Sequence, residues 1–108
     1  AIGSVLRGKP DYHGVVVKST VVPGTTDQVV VPLLEERSGK AAGEAFGVGR
    51  NPEFLREGQA VADFMNPDRI VLGADDPRVL AACSELYAVF PSALIVHHPG
   101  AVYYLVKE

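Results

Sequence analysis

Four short apolar runs, separated by capped segments of helical period, set the strongest limit on how this chain can fold. HGVVVKST (residues 13–20) carries a continuous β-branched run. AFGVG (45–49) is shorter, RIVLGA (69–74) is a third and ALIVHH (93–98) a fourth. Apolar residues at successive rather than alternate positions predict strands buried on both faces. After the first run, Thr25, Thr26 or Asp27 can cap a helix that extends through Ser38 and is stopped by Gly39. Its apolar stripe is Val29, Val30, Leu33 and Leu34; Pro32 kinks it unless the regular part begins nearby. Residues 75–90 form the clearest helix. Asp76 is its cap, Pro77 its first position, and Val79, Leu80, Cys83, Leu86, Tyr87 and Phe90 recur at three- and four-residue spacing. Residues 101–108 have the pattern of a further helix.

Strand and helix alternation predicts βαβ units and an α/β fold: a mostly parallel sheet of about four strands covered by helices. In such sheets ligands sit at the carboxyl ends of the strands. The candidates are Ser19 and Thr20, the loop at 50–58, and His97 with His98.

The 108 residues, of which 47% are hydrophobic and 21% charged, fit one globular domain rather than a disordered chain. A formal net charge of -3 without a basic block gives no support for nucleic acid or an anionic membrane as partner. The apolar runs are too short to span a bilayer, and the first ten residues lack signal-peptide anatomy. A single cysteine excludes an internal disulfide and a cysteine-cluster metal site, and a reducing, cytoplasmic setting is expected.

The segment GVGRNPEFLREGQAV (47–61) is richer in chemistry than a turn requires. On a helix, the spacing of Glu53 and Glu57 places both carboxylates on one face. Held close together, they can repel and make one a general base. The plainer reading is a solvated first turn with Arg56 as a surface partner. STVVPGTT ends a strand in two hydroxyls and feeds a helix, an arrangement that can hold an anion, although it lacks both GK[ST] and GxGxxG and is better explained by plain capping. Cys83 lies on an apolar stripe and is expected in the core. His97 and His98 are adjacent on a strand and point to opposite faces, so no shared metal is expected. His13, Tyr103 and Tyr104 are expected to be structural.

These stretches, in order, resemble the UDP-glucose / GDP-mannose 6-dehydrogenase family. VVVKSTVVPGTT is similar to its vKSTvpxGTt segment, VVPLLEERSGK to its P-x-x-E…SG helix, and FGVGRNPEFLREGQAVADFMNPDRIVLG to its NPEFLREG-x-A-x-x-D…pdRiviG segment. The similarity runs from residue 1 to about 90. It implies a partial Rossmann-like unit, with residues 1–98 as the second half of an NAD-binding domain and 99–108 as the start of a central helix. It implies NAD as cofactor and a nucleotide sugar, UDP-glucose or GDP-mannose, oxidised at C6 to the uronate. Glu53 matches the acid/base group; Phe54, Leu55 and Arg56 match the residues that wrap the sugar. Glu57 matches an acid near the nicotinamide, Ser19 and Thr20 the cofactor-side loop, and Lys107 a catalytic lysine. The family's glycine fingerprint would lie before Ala1 and its nucleophilic cysteine beyond Glu108. The chain alone is therefore expected to be inactive. The alternative is a non-catalytic binding or assembly module; in either case an exposed strand edge predicts a homo-oligomer.

Overall fold

The computed structural model describes residues 1–22, 24–67 and 69–90, together with the backbone of 94–98. The elements run α1 (Ile2–Arg7), β1 (His13–Val17), a π-helical turn (Thr26–Val30) leading into α2 (Val31–Ser38), β2 (Phe46–Arg50), α3 (Ala60–Met65), β3 (Arg69–Ala74), α4 (Pro77–Tyr87) and β4 (Leu94–His98). Pro32 falls in the first turn of α2, directly after the π-helical turn at Thr26–Val30, so the residue without an N–H sits where the helix changes its hydrogen-bond pattern. Gly39 ends that helix in the left-handed region at φ 70°. In α4, Asp76 caps through its side chain and Pro77 opens the helix. The short α1 was not anticipated. Its Leu6 is buried with Leu34, Phe46 and Val48, and Lys40 donates to the carbonyls of Leu6 (2.8 Å) and Lys9, which closes the helix end.

The strands form one sheet in the order β1-β2-β3-β4. β1/β2 and β3/β4 are parallel; β2/β3 is antiparallel, and this junction departs from the parallel expectation. A parallel return requires a crossover packed on the sheet. The connection from β2 to β3 has no such packing, since α3 buries none of its residues. The chain instead runs past the end of β2 and turns back. Only Gly49↔Ala74 and Arg50↔Gly73 join the two parallel pairs, so the sheet is staggered.

A single row, Val17–Arg50–Gly73–His98, crosses all four strands. β1 and β2 cross that row in one direction, β3 and β4 in the other. Val17 and His98 thus stand at one level of the sheet, with β2 and β3 between their strands, so the carboxyl ends of β1 and β4 meet that row from opposite directions.

β1 also departs from expectation. It was read as buried on both faces, yet His13, Gly14 and Val16 are exposed. Among the described residues it is an edge strand, paired with β2 alone. β2 is buried throughout and β3 nearly so. Helices cover both faces. On one side, α1 and α2 enclose Phe46 and Val48; on the other, α4 lays Val79, Cys83 and Tyr87 over Ile70, Leu72 and Ala74. The second contact requires Gly47 and Gly49. A Cβ at either would stand 2.6 Å from a Val79 methyl.

The α4 cap is electrostatically reinforced. Asp76 accepts from the Arg78 backbone N–H (2.9 Å), from Arg78 Nε (3.1 Å) and Nη2 (2.9 Å), and from the Tyr12 hydroxyl (2.8 Å). The Arg78 hydrogen bonds hold the Asp76 carboxyl at about 2, below its ordinary 3.8. Burial, then the Asp76 bond and charge, push Tyr12 up to about 12. A depressed carboxylate stabilises the fold above its unfolded pKa and loses that contribution as pH falls through the folded value. The window is therefore about pH 4 down to about pH 2. Acid unfolding followed by circular dichroism is expected to show Asp76→Asn less stable than the parent above that window. The two should converge below it.

Candidate functional site

Residues 51–56 run on from β2 without forming a helix, followed by a turn at 57–58. Pro52 disfavours helical backbone at Asn51 and cannot donate to a ladder. The helix resumes only at Ala60. Glu53 and Glu57 consequently do not share a helical face, and the paired-carboxylate reading fails on backbone geometry. Arg56 forms its ion pair with Asp63: Nη2 reaches Oδ1 at 2.7 Å, and Nε and the backbone N–H reach Oδ2 at 3.1 and 2.8 Å. That bidentate pair folds the turn back onto α3.

Asn51 anchors the segment. It is 2% exposed. Its backbone N–H donates to Val17 O at 2.9 Å, and its side-chain amide donates to Val71 O, also at 2.9 Å. The amide thus supplies a bond to β3 beside Pro52, which has no N–H of its own. The Tyr87 hydroxyl, from α4, donates to Asn51 Oδ1. Burial pushes the Tyr87 phenol above its usual value, so it remains a donor.

The strand-end loops do converge. Thr20 Oγ1 donates to the Glu53 carbonyl at 3.5 Å, a long contact that places the end of the first run beside the acidic segment. Below it lies a cleft of about 460 Å³, whose walls come from residues 51–56, from α3 and the start of β3, and from Lys18, Tyr87 and Phe90. Of the anticipated residues, Glu53, Phe54, Leu55 and Arg56 line it. Ser19 and Thr20 are exposed at its approach, and Glu57 sits in the exposed turn outside its walls. Lys107, Tyr103 and Tyr104 lie outside the described residues, as does the whole of 99–108.

Several wall residues were missed from sequence. The Lys18 ammonium stands 5.6 Å from the Phe64 ring centre and 6.0 Å from that of Tyr87. Burial pushes its pKa below the usual lysine value, and the Glu53 carboxylate pulls it back up. The Arg69 guanidinium lies 5.0 Å from the Phe54 ring centre. Phe64 meets Phe90 edge to face at 5.9 Å. One signal was available for Lys18: it lies two residues before Thr20, on the same face of the extended run.

A second hollow of about 780 Å³ opens near the start of α4, with Asp27, Asp75, Asp76 and Arg78 among its walls. Asp27 is paired with Arg50 and Asp76 with Arg78, so its chemistry is largely satisfied internally. Cys83 is buried, and desolvation raises its thiol pKa, as expected of a core cysteine rather than a nucleophile. Among the described residues no group of three metal-ligating side chains occurs, and no helix is long and apolar enough to cross a membrane.

Comparison with known proteins gives a consistent result. The profile of the UDP-glucose/GDP-mannose dehydrogenase family, NAD binding domain, matches residues 1–91. The chain is 51% identical over 88 residues to the UDP-glucose 6-dehydrogenase AglM of Haloferax volcanii, covering 82% of this chain and 20% of that protein. It is 47% identical over 94 residues to the GDP-mannose 6-dehydrogenase of Pseudomonas aeruginosa, covering 87% and 22%. Among solved structures, a ternary complex of GDP-mannose dehydrogenase from the latter organism superposes with TM-score 0.86 at 46% identity, over 91% of this chain and 22% of that one. A UDP-glucose dehydrogenase from Pyrobaculum islandicum gives 0.78 at 43% identity, over 89% and 22%. The chain thus spans about a fifth of the length of these relatives.

Proposed function

Because the chain belongs to the UDP-glucose/GDP-mannose dehydrogenase family, within its NAD binding domain, we propose that it supplies one wall of a nucleotide-sugar 6-dehydrogenase site. In this reading Glu53 serves as the acid/base group at the sugar C6, and the 54–56 segment wraps the sugar, with Arg56 fixed by Asp63. Ser19 and Thr20 face the cofactor side. The reading places Glu57 near the nicotinamide and Lys107 among the catalytic groups. The observation that carries it is the meeting of Thr20 with the Glu53 backbone directly above the cleft.

NAD fits only in part. The exposed hydroxyls of Ser19 and Thr20 at the carboxyl end of β1 suit one flank of the dinucleotide, but residues 1–108 hold no GxGxxG to cradle its diphosphate. NAD, when bound, supplies the hydride acceptor. The residues of this chain orient the alcohol and hold its proton at the Glu53 carboxylate. Alone, the chain is expected to produce no NADH from UDP-glucose or GDP-mannose. Ligand-observed NMR should nonetheless detect one of the two sugars, with the signal reduced in Glu53→Gln. Equal signals from parent and variant would count against the assignment.

A second reading, a self-associating module, is favoured by the outer strand. Among the described residues β1 pairs on one side only, with Val16 and Val22 exposed on and after it. Sedimentation is expected to give a homo-oligomer; a lone 11.5 kDa species would refute it.

A further inference from the structure

The cleft beneath Glu53 is electropositive in a chain that is not. Three cations line it (Lys18, Arg56 and Arg69) against two carboxylates, Glu53 and Asp63. The whole chain carries -3. Arg56 and Asp63 neutralise one another in their bidentate pair. That leaves Lys18 and Arg69, and among the described residues neither is in an ion pair. Both instead rest on aromatic faces, Lys18 over Phe64 and Tyr87, Arg69 over Phe54. A ring face holds a cation in place without cancelling its charge or using up its N–H donors. Glu53 offers one negative charge to these two positive ones.

We infer that Lys18 and Arg69 form an anion site that takes the diphosphate of the nucleotide sugar. The inference rests on the sugar-nucleotide reading for its ligand, but assigns two residues to which that reading gives no role. Diphosphate suits the site chemically. It spreads negative charge over several oxygens, takes a planar guanidinium through two parallel bonds, and accepts from an ammonium as a point charge. The dinucleotide carries the same group; the sugar nucleotide is favoured because Glu53 and the 54–56 segment form the remaining wall.

The test is calorimetric titration of the 108-residue chain with inorganic pyrophosphate, UDP-glucose, GDP-mannose, NAD and free glucose. The variants are Lys18→Met, Lys18→Arg, Arg69→Gln and Glu53→Gln, with circular dichroism to confirm that each folds. Pyrophosphate and a nucleotide sugar are expected to bind, and glucose not to. Lys18→Met and Arg69→Gln should each weaken pyrophosphate about tenfold or more, as expected for one lost charge-assisted bond. Lys18→Arg should retain most of the affinity, and added salt should reduce it. Nucleotide-sugar binding weakened by Glu53→Gln but untouched at Lys18 and Arg69 would overturn the inference and leave the reading standing. Pyrophosphate binding through both cations, without nucleotide-sugar binding, would keep an anion site but remove its assigned ligand. NAD weakened by the two variants while the sugars are not would transfer the site to the cofactor and overturn the assignment. Absence of pyrophosphate binding at millimolar concentration would overturn it outright.

Discussion

Gly49→Ala is expected to destabilise the fold by about 2 kcal/mol, against the roughly 0.5–1 kcal/mol that alanine ordinarily gains over glycine within a strand. The new Cβ would stand 2.6 Å from Val79 Cγ1 and 3.3 Å from the Gly73 carbonyl. Neither neighbour is the free end of a flexible side chain. α4 must lift from β2, and its buried contacts with Leu72 and Ala74 loosen with it. Urea midpoints at constant m-value measure the loss. The cause is checked by a double-mutant cycle. In a Val79→Ala background Gly49→Ala should cost less, with coupling of about 1 kcal/mol or more. Gly47→Ala should not be rescued in this way, because its Cβ also collides with the Tyr12 hydroxyl. A Gly49→Ala protein as stable as the parent would mean that α4 does not sit this close to β2.

Asn51→Ala should cost about 2–4 kcal/mol, since it leaves two buried partners, the Val71 carbonyl and the Tyr87 hydroxyl, each without its bond. For a domain of this size the total is about 5–15 kcal/mol. Tyr87→Phe strands only Asn51 Oδ1 and should cost about 1–2 kcal/mol. The two losses should be far from additive, because both remove the same bond. The larger consequence is local. With the amide gone, the stretch beside Pro52 loses its side-chain bond to β3 and is left with the backbone bond from residue 51 to Val17 O in β1. Amide exchange is expected to accelerate at Glu53–Arg56 in Asn51→Ala well beyond the acceleration in α2. Uniform acceleration across the chain would indicate plain destabilisation instead.

Most secondary structure was legible from residue pattern. Residues 69–74 were bounded correctly because a buried apolar run between a turn and a capped helix has few alternatives. The Asp76–Pro77 start and the Gly39 stop are local backbone chemistry, readable wherever they occur. The Glu53–Arg56 wall was reached through resemblance, since spacing alone could not separate a site from a solvated turn. The helical pairing of Glu53 with Glu57 failed because an i, i+4 argument presupposes a helix, and residues 51–56 form none: Asn51 is tied to the carbonyls of β1 and β3 instead. Burial of β1 was misjudged for a different reason. An apolar run shows that a strand is suited to being covered, whereas its neighbours decide whether it is.

What the residues determined alone is the α/β alternation, the caps, and a core cysteine without reactive surroundings. These depend on interactions within a few positions of each other along the chain. Tertiary structure decided the reversal at β2/β3 and, with it, which strand ends face the same way. It also brought Lys18, Asn51, Phe64, Arg69 and Tyr87 to one cleft from five separate elements or loops. Those positions are up to 69 residues apart, from Lys18 to Tyr87. Their juxtaposition is set by sheet order and by the two glycines that let α4 come close. No local propensity encodes a distance of that kind.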